Sequence, residues 1–182
     1  AARSGCGQAA PSDVPQAHAR LTGLAMTRIH VPIHLRWGDF DAYQHVNNAE
    51  MLHLLEEARL QTFWRPDVFD PEAPPTAVLD ARPGAAVVSL IARQEVEYLQ
   101  PIPYQRSPLD VELWIGRIGG ASLEIGYEVF SPVEHEPRIL YTRAATTLVM
   151  VELASGRPVR IPDEYREAWE PFVETPIEFA RR

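Results

Sequence analysis

What this 182-residue chain lacks narrows its function more than what it contains. It has a single cysteine, Cys6, so no intrachain disulfide can form and nothing indicates an oxidising compartment. No stretch approaches the roughly 18 consecutive apolar residues of a membrane span. The N-terminus also lacks the basic-then-apolar layout of a secretory signal, and cytoplasm is the expected location. Positive charge is not in surplus. The net charge of −8 runs against a general nucleic-acid binder, although a small anionic ligand needs only a few local cations. His30 and His34 are four residues apart, but on a strand-like segment that spacing makes no common face, so no zinc-ligand pattern emerges. There is no Gly-x-Ser-x-Gly elbow and no glycine-rich phosphate loop ahead of a helix. A serine hydrolase is not expected, nor is a metal or cofactor.

What is present describes one soluble globular domain. A hydrophobic share of 46% and a charged share of 23% are ordinary, and a chain of this length can bury a core without disulfides or metals. Residues 1–25, rich in Ala, Gly, Ser, Gln and Pro, carry no hydrophobic period. They read as a disordered extension, or as vector or upstream sequence ahead of a start at Met26.

From Ile29 to Trp37 apolar and polar residues alternate at period two, which predicts a half-buried strand; Pro32 suits an edge or a bulge. A polar turn, Gly38 to Gln44, leads to Asn47-Asn48, favoured helix N-caps. A helix is predicted over 49–64. Met51, Leu54, Leu55, Ala58 and Leu60 would form its apolar stripe, with Glu50, Glu56, Glu57, Arg59 and Gln61 opposite. Five prolines between 65 and 85 predict a long connection of the kind that often covers sites. Strands follow at about 86–98, 109–117, 122–130 and 138–151, the middle two joined at Gly119-Gly120. A short helix is expected to begin at Pro162. One apolar helix with a single antiparallel sheet is an α+β layout in which the sheet must cover the helix.

The richest segment is Arg36-Trp37-Gly38-Asp39-Phe40-Asp41-Ala42-Tyr43-Gln44-His45-Val46-Asn47-Asn48. It sets two carboxylates, an imidazole and two amides between a strand and a helix start. Acid-base groups there stand beside unpaired backbone N–H groups and the positive end of a helix dipole. Such donors suit a developing oxyanion, and losing one costs about 3–4 kcal/mol in hydrolases. A nearby carboxylate can attack the polarised carbonyl or deprotonate water.

The run Asp41 to Asn48, with His45-Val46-Asn47-Asn48 and the helical Leu55-Glu56-Glu57-Ala58-Arg59, resembles the signature of the 4-hydroxybenzoyl-CoA thioesterase-like branch of hot-dog proteins. Val96-Glu97-Tyr98-Leu99-Gln100-Pro101 and the strand from Arg143 to Val151 extend the likeness, which spans roughly residues 27–165. The resemblance implies a hot-dog domain over 26–182, a long central helix wrapped by a curved antiparallel sheet of about five strands. It also implies homodimers or dimers of dimers, with acyl-CoA hydrolysed at the subunit interface.

On this likeness Asp41 is the catalytic carboxylate, as general base or nucleophile. His45 and Asn47 join it in the site, and the carbonyl-polarising amides come from His45 to Asn48. Val46, Asn48, Met51, Glu57 and Ser122 are candidate substrate contacts. Arg117, with Arg93 and Arg106, is a candidate for the CoA phosphates.

A lone loop aspartate usually caps a turn, but within this constellation catalysis is the favoured reading of Asp41, while Asp39 is read as structural and Asn47 as a helix cap. Three departures bear on geometry. Gln44 stands where the branch commonly has Gly, Met51 where it has Tyr, and Ser107-Pro108-Leu109-Asp110 replaces a Gly-Asp pair. The alternatives are an acyl-carrier-protein thioesterase and a non-catalytic acyl-binding protein. The acidic charge speaks against the first, because carrier proteins are acidic themselves. Hot-dog hydratases have a longer Asp-to-His spacing with an Asn-Pro between, which this chain lacks.

Overall fold

The computed structural model describes residues 28–180 apart from 69 and 81, so the expectations for residues 1–25 and Cys6 lie outside the described residues. In chain order the elements are β1 (Ile29–Ile33), a 3-10 turn (Trp37–Asp39), α1 (Asn48–Phe63), β2 (Val87–Tyr98), β3 (Leu109–Ile118), β4 (Ser122–Phe130), β5 (Leu140–Glu152), β6 (Arg157–Pro158) and α2 (Asp163–Trp169), followed by a second 3-10 turn (Glu170–Phe172).

The strands form one antiparallel sheet in the order β1-β3-β4-β5-β2, with the two-residue β6 pairing to β5. That makes six strands rather than about five. β1 is an edge, which accommodates Pro32. β1 also stops at Ile33 instead of reaching Trp37, because the chain turns there into the 3-10 segment.

One face of the sheet is apolar. Val111, Leu113 and Ile115 of β3 pair with Val129, Tyr127 and Ile125 of β4, Leu109 pairs with Ile33 of β1, and all are buried. α1 joins the same core through Met51, Leu54, Leu55, Ala58 and Phe63. Each large side chain buried this way contributes about 1.5–3 kcal/mol, so packing rather than helix propensity holds α1 in place.

The helix phase differs from the predicted stripe at two adjacent positions. Arg59 is buried and Leu60 is 39% exposed. Positions 51, 54, 55, 58, 59, 62 and 63 recur at i, i+3, i+4 and i+7, and that phase puts residue 59 inside whatever its chemistry. The Arg59 guanidinium is accommodated by Glu56 at 3.2 Å and by the buried Tyr127 hydroxyl at 3.4 Å.

The opposite face of β3 is covered too, which alternation alone does not predict. Residues beyond α2 first pair with its edge past β1, where Val173 bridges to Ile115 and the Glu174 N–H donates to the Ile115 carbonyl at 2.9 Å, and then meet its outward side, where the Trp114 indole donates to the Thr175 carbonyl at 3.1 Å. Trp114 lies flat on β4 at Gly126, where any Cβ would come within 2.6 Å of the ring; glycine is required there.

Beside it sits an ion-pair network. Arg28 bridges Glu112, Glu128 and Glu174, while Arg138 pairs with Asp110 and Glu112. His30 donates into this network, and its hydrogen bond to Asp110 raises the imidazole pKa above its ordinary value. The ligand-capable atoms of His30, Asp110 and Glu112 converge within 4.8 Å. Both carboxylates are already neutralised by arginines, so the cluster is an ion-pair network and a poor cation site.

The proline-rich connection does not cover the segment around Asp41. It returns along the far end of α1, where the Leu79 N–H donates to the Phe63 carbonyl at 2.9 Å and the Thr76 hydroxyl to the Thr62 carbonyl at 2.7 Å.

Candidate active site

The chain between β1 and α1 makes two tight turns, each closed by an aspartate. In the first, the buried Asp39 accepts the Arg36 N–H at 2.6 Å and the Arg36 guanidinium at 3.1 Å, and its carbonyl accepts the Asn47 N–H at 2.8 Å. Asp39 is therefore a structural residue. In the second turn, Phe40 and Val46 face each other across a bridge, and the Asp41 N–H donates to the His45 carbonyl at 3.0 Å.

Oδ1 of Asp41 accepts the Tyr43 N–H at 2.8 Å and, weakly, the His45 N–H at 3.3 Å. So Asp41 does cap a turn, but with one oxygen. Oδ2 has no hydrogen-bond partner among the described residues.

Gln44 occupies the left-handed region, φ +64°, which is the backbone a glycine adopts without strain. The departure from Gly at this position therefore leaves the turn intact and places its cost in the backbone. Gln44→Gly is expected to stabilise the protein by about 0.5–1 kcal/mol, seen as a higher Tm. A lower Tm would show instead that the glutamine side chain holds the turn.

The turn delivers the chain to the N-terminus of α1. Asn47 is the N-cap: its side chain accepts the Ala49 N–H at 2.8 Å and its carbonyl the Met51 N–H at 2.9 Å. The Val46 and Asn47 N–H groups are taken by the carbonyls of Ile102 and Asp39. Of the candidate amides from His45 to Asn48, the Asn48 N–H alone has no hydrogen-bond partner among the described residues.

Asp41 borders two clefts. One, of about 370 Å³, is walled by His45, Val46, Asn48 and Met51 on one side and by Tyr98 to Ile102 and Thr142 on the other. The second, of about 510 Å³, is lined by Trp37, Phe40, Gln44, Pro103 and Tyr104. Tyr104 stacks edge-on against both Trp37 and Phe40, with ring centroids 5.3 and 5.5 Å apart. Burial raises the Tyr98 phenol pKa, and its hydroxyl donates to the Asn48 carbonyl at 3.1 Å, tying β2 to the helix start.

The structure thus brings Asp41, His45, Val46, Asn48 and Met51 together, and it does not bring every candidate with them. Asn47 spends its side chain as a cap. Glu57 is exposed, accepts from Gln61 at 2.8 Å, and borders a different groove of about 540 Å³ between β1 and the outer side of α1. Arg117 and Ser122 sit at the β3–β4 hairpin and do not line either Asp41 cleft. Arg93 is ion-paired with Glu95. Tyr98, Ile102 and Thr142, which do line the cleft, were not singled out by residue type. The motif from Val96 to Pro101 is a sequence signal for Tyr98 alone.

Residues 35–169 match the family model described as the thioesterase-like superfamily. Solved structures share the architecture. A candidate thioesterase from Pseudomonas aeruginosa is 31% identical, with a TM-score of 0.61 over 78% of this chain and 95% of that one. A thioesterase from Thermus thermophilus, solved in complex with coenzyme A and Zn, is 28% identical, with a TM-score of 0.58 over 79% and 92%. A protein of Pseudomonas aeruginosa strain PAO1 is 25% identical, with a TM-score of 0.63 over 80% and 91%. No curated protein sequence matches. No helix among the described residues is long and apolar enough to cross a membrane.

Proposed function

Since this chain belongs to the thioesterase-like superfamily, we propose that it hydrolyses acyl-CoA thioesters to the free acid and CoA, with Asp41 as general base or nucleophile. The observation that carries the reading is that Asp41, whose Oδ2 has no partner among the described residues, lines two clefts, one of which is also lined by Asn48 with its unpartnered N–H.

As general base, Oδ2 takes a proton from water and the resulting hydroxide adds to the acyl carbon. The carbonyl oxygen becomes an oxyanion held by the Asn48 N–H and the positive end of α1. Collapse breaks the C–S bond, and the thiolate recovers the proton from Asp41. His45 lines the same cleft and orients the substrate or the water.

Two further features support the reading. α1 shares its core with Leu113, Ile125 and Leu148, as a central helix wrapped by the sheet would. The solved Thermus relative holds coenzyme A. Net charge weighs against a carrier-protein substrate.

The reading includes a homodimer or a dimer of dimers. Among the described residues β2 pairs only with β5, leaving an open edge of 12 residues on which Leu90 and Ile91 are 52% and 45% exposed. Such an edge pairs or aggregates unless covered. Sedimentation of the wild type is expected to give a dimer or larger, and Ile91→Lys to weaken it; a monomer at all concentrations refutes this part. In such an assembly Glu57, Arg117 and Ser122 could meet a neighbouring protomer's site.

The test of function is thiol release from a panel of straight-chain and aromatic acyl-CoAs. Hydrolysis of at least one is expected. Binding without thiol release would identify a non-catalytic acyl-binding protein.

A further inference from the structure

Five aliphatic hydroxyls are buried among the described residues, on Thr62, Thr76, Ser131, Thr142 and Thr146. Thr62 donates to the Ala58 carbonyl at 2.8 Å and Thr76 to the Thr62 carbonyl at 2.7 Å. Ser131 accepts the Ile139 N–H at 2.9 Å, and Thr146 accepts from the Gln94 amide at 3.4 Å. Thr142 is the exception, because its Oγ1 has no hydrogen-bond partner among the described residues. It is also the one of the five that lines the cleft beside Asp41.

A buried hydroxyl without a partner is unfavourable, and valine would fill the same volume on a strand without that cost. Of the other inward positions of β5, Ala144, Leu148 and Met150 are apolar, and the fourth, Thr146, has its partner in Gln94. The cross-strand neighbour Tyr98 is already engaged with the Asn48 carbonyl. Beside Asp41, His45, Asn48, Tyr98 and Gln100 the cleft wall has an apolar part, Val46, Met51, Leu99, Pro101 and Ile102, and no arginine lines it, so it suits an acyl group better than phosphates. The thioester oxygen is assigned above to the Asn48 N–H, which leaves Thr142 for a different oxygen.

We infer that Thr142 is a specificity-determining residue whose hydroxyl pairs with a hydroxyl or oxo oxygen on the acyl group, so that the substrates are oxygen-bearing acyl thioesters. The inference rests on the acyl-thioester reading of the Asp41 cleft. A site that hydrogen-bonds a substrate oxygen rejects the analogue lacking it strongly, whereas a purely apolar pocket discriminates weakly.

The experiment compares acyl-CoAs of equal chain length with and without a hydroxyl or oxo group at successive carbons, using wild type, Thr142→Val and Thr142→Ser. Wild type should favour one oxygenated series by at least about tenfold in kcat/KM. Thr142→Val should abolish that preference by losing activity on the oxygenated ester alone, and Thr142→Ser should keep it. A ratio unchanged in Thr142→Val, or a wild-type preference for the unsubstituted chain, overturns the inference. Absence of turnover with every ester overturns the hydrolytic reading instead. Calorimetric binding of the same pairs then decides the role of Thr142 by the same ratio.

Discussion

Asp41→Asn is expected to lower kcat on acyl-CoA by about 10²–10⁴ while leaving the fold in place. The division of labour between the two carboxylate oxygens makes this a clean substitution. The asparagine carbonyl can still accept the Tyr43 and His45 N–H groups that Oδ1 accepts now, so the turn survives. The amide that replaces Oδ2 can neither take a proton from water nor attack a carbonyl carbon. Asp41→Ala removes both functions, and should add a stability loss of about 1 kcal/mol, typical of a lost cap. Comparing kcat and Tm across the two variants separates chemistry from turn formation. Undiminished thiol release by Asp41→Asn would remove this residue from the mechanism.

The second large effect is predicted for a backbone atom. Asn48→Pro deletes the N–H that, of those from His45 to Asn48, alone has no partner among the described residues, and should reduce kcat by about 10²–10³, the scale of losing a single oxyanion donor. Proline is normally disruptive in a helix, but Asn48 is the first residue of α1, the position proline prefers. The preceding Asn47 is already extended at ψ 142°, as a residue before proline must be. The Asn48 carbonyl, which Tyr98 uses, is unaffected. Asn48→Ala keeps the N–H and serves as the control for the lost side chain. Equal kcat for the proline and alanine variants would mean that the oxyanion lies elsewhere.

Strict alternation made β3 and β4 legible in the sequence, because a period of two with one apolar face has few alternative registers. The start of α1 was legible from Asn47-Asn48, whose capping chemistry is local. Where tertiary geometry decides, residue type misled. Arg59 and Leu60 exchanged their expected sides because helical phase is set by the whole set of packed positions. The cleft wall opposite Asp41 comes from Tyr98 and Thr142, which the pairing of β2 with β5 brings near a turn at residue 41. No pattern within a window of sequence announces that approach. Gln44 was flagged as standing where Gly is common, but its left-handed φ follows from the hydrogen bonds closing the turn around it.

The strip of chain after α2 has a consequence for assembly. With Thr175 on the indole of Trp114 and Pro176 against Gly116, the outward side of β3 is already occupied by the molecule's own terminus. Two copies could not lay their sheets back to back over β3 without first peeling that strip away, breaking the Glu174–Ile115 hydrogen bond and the bridge from Glu174 to Arg28. Any association of copies over this face carries that cost, so the strip acts as a built-in cover of β3.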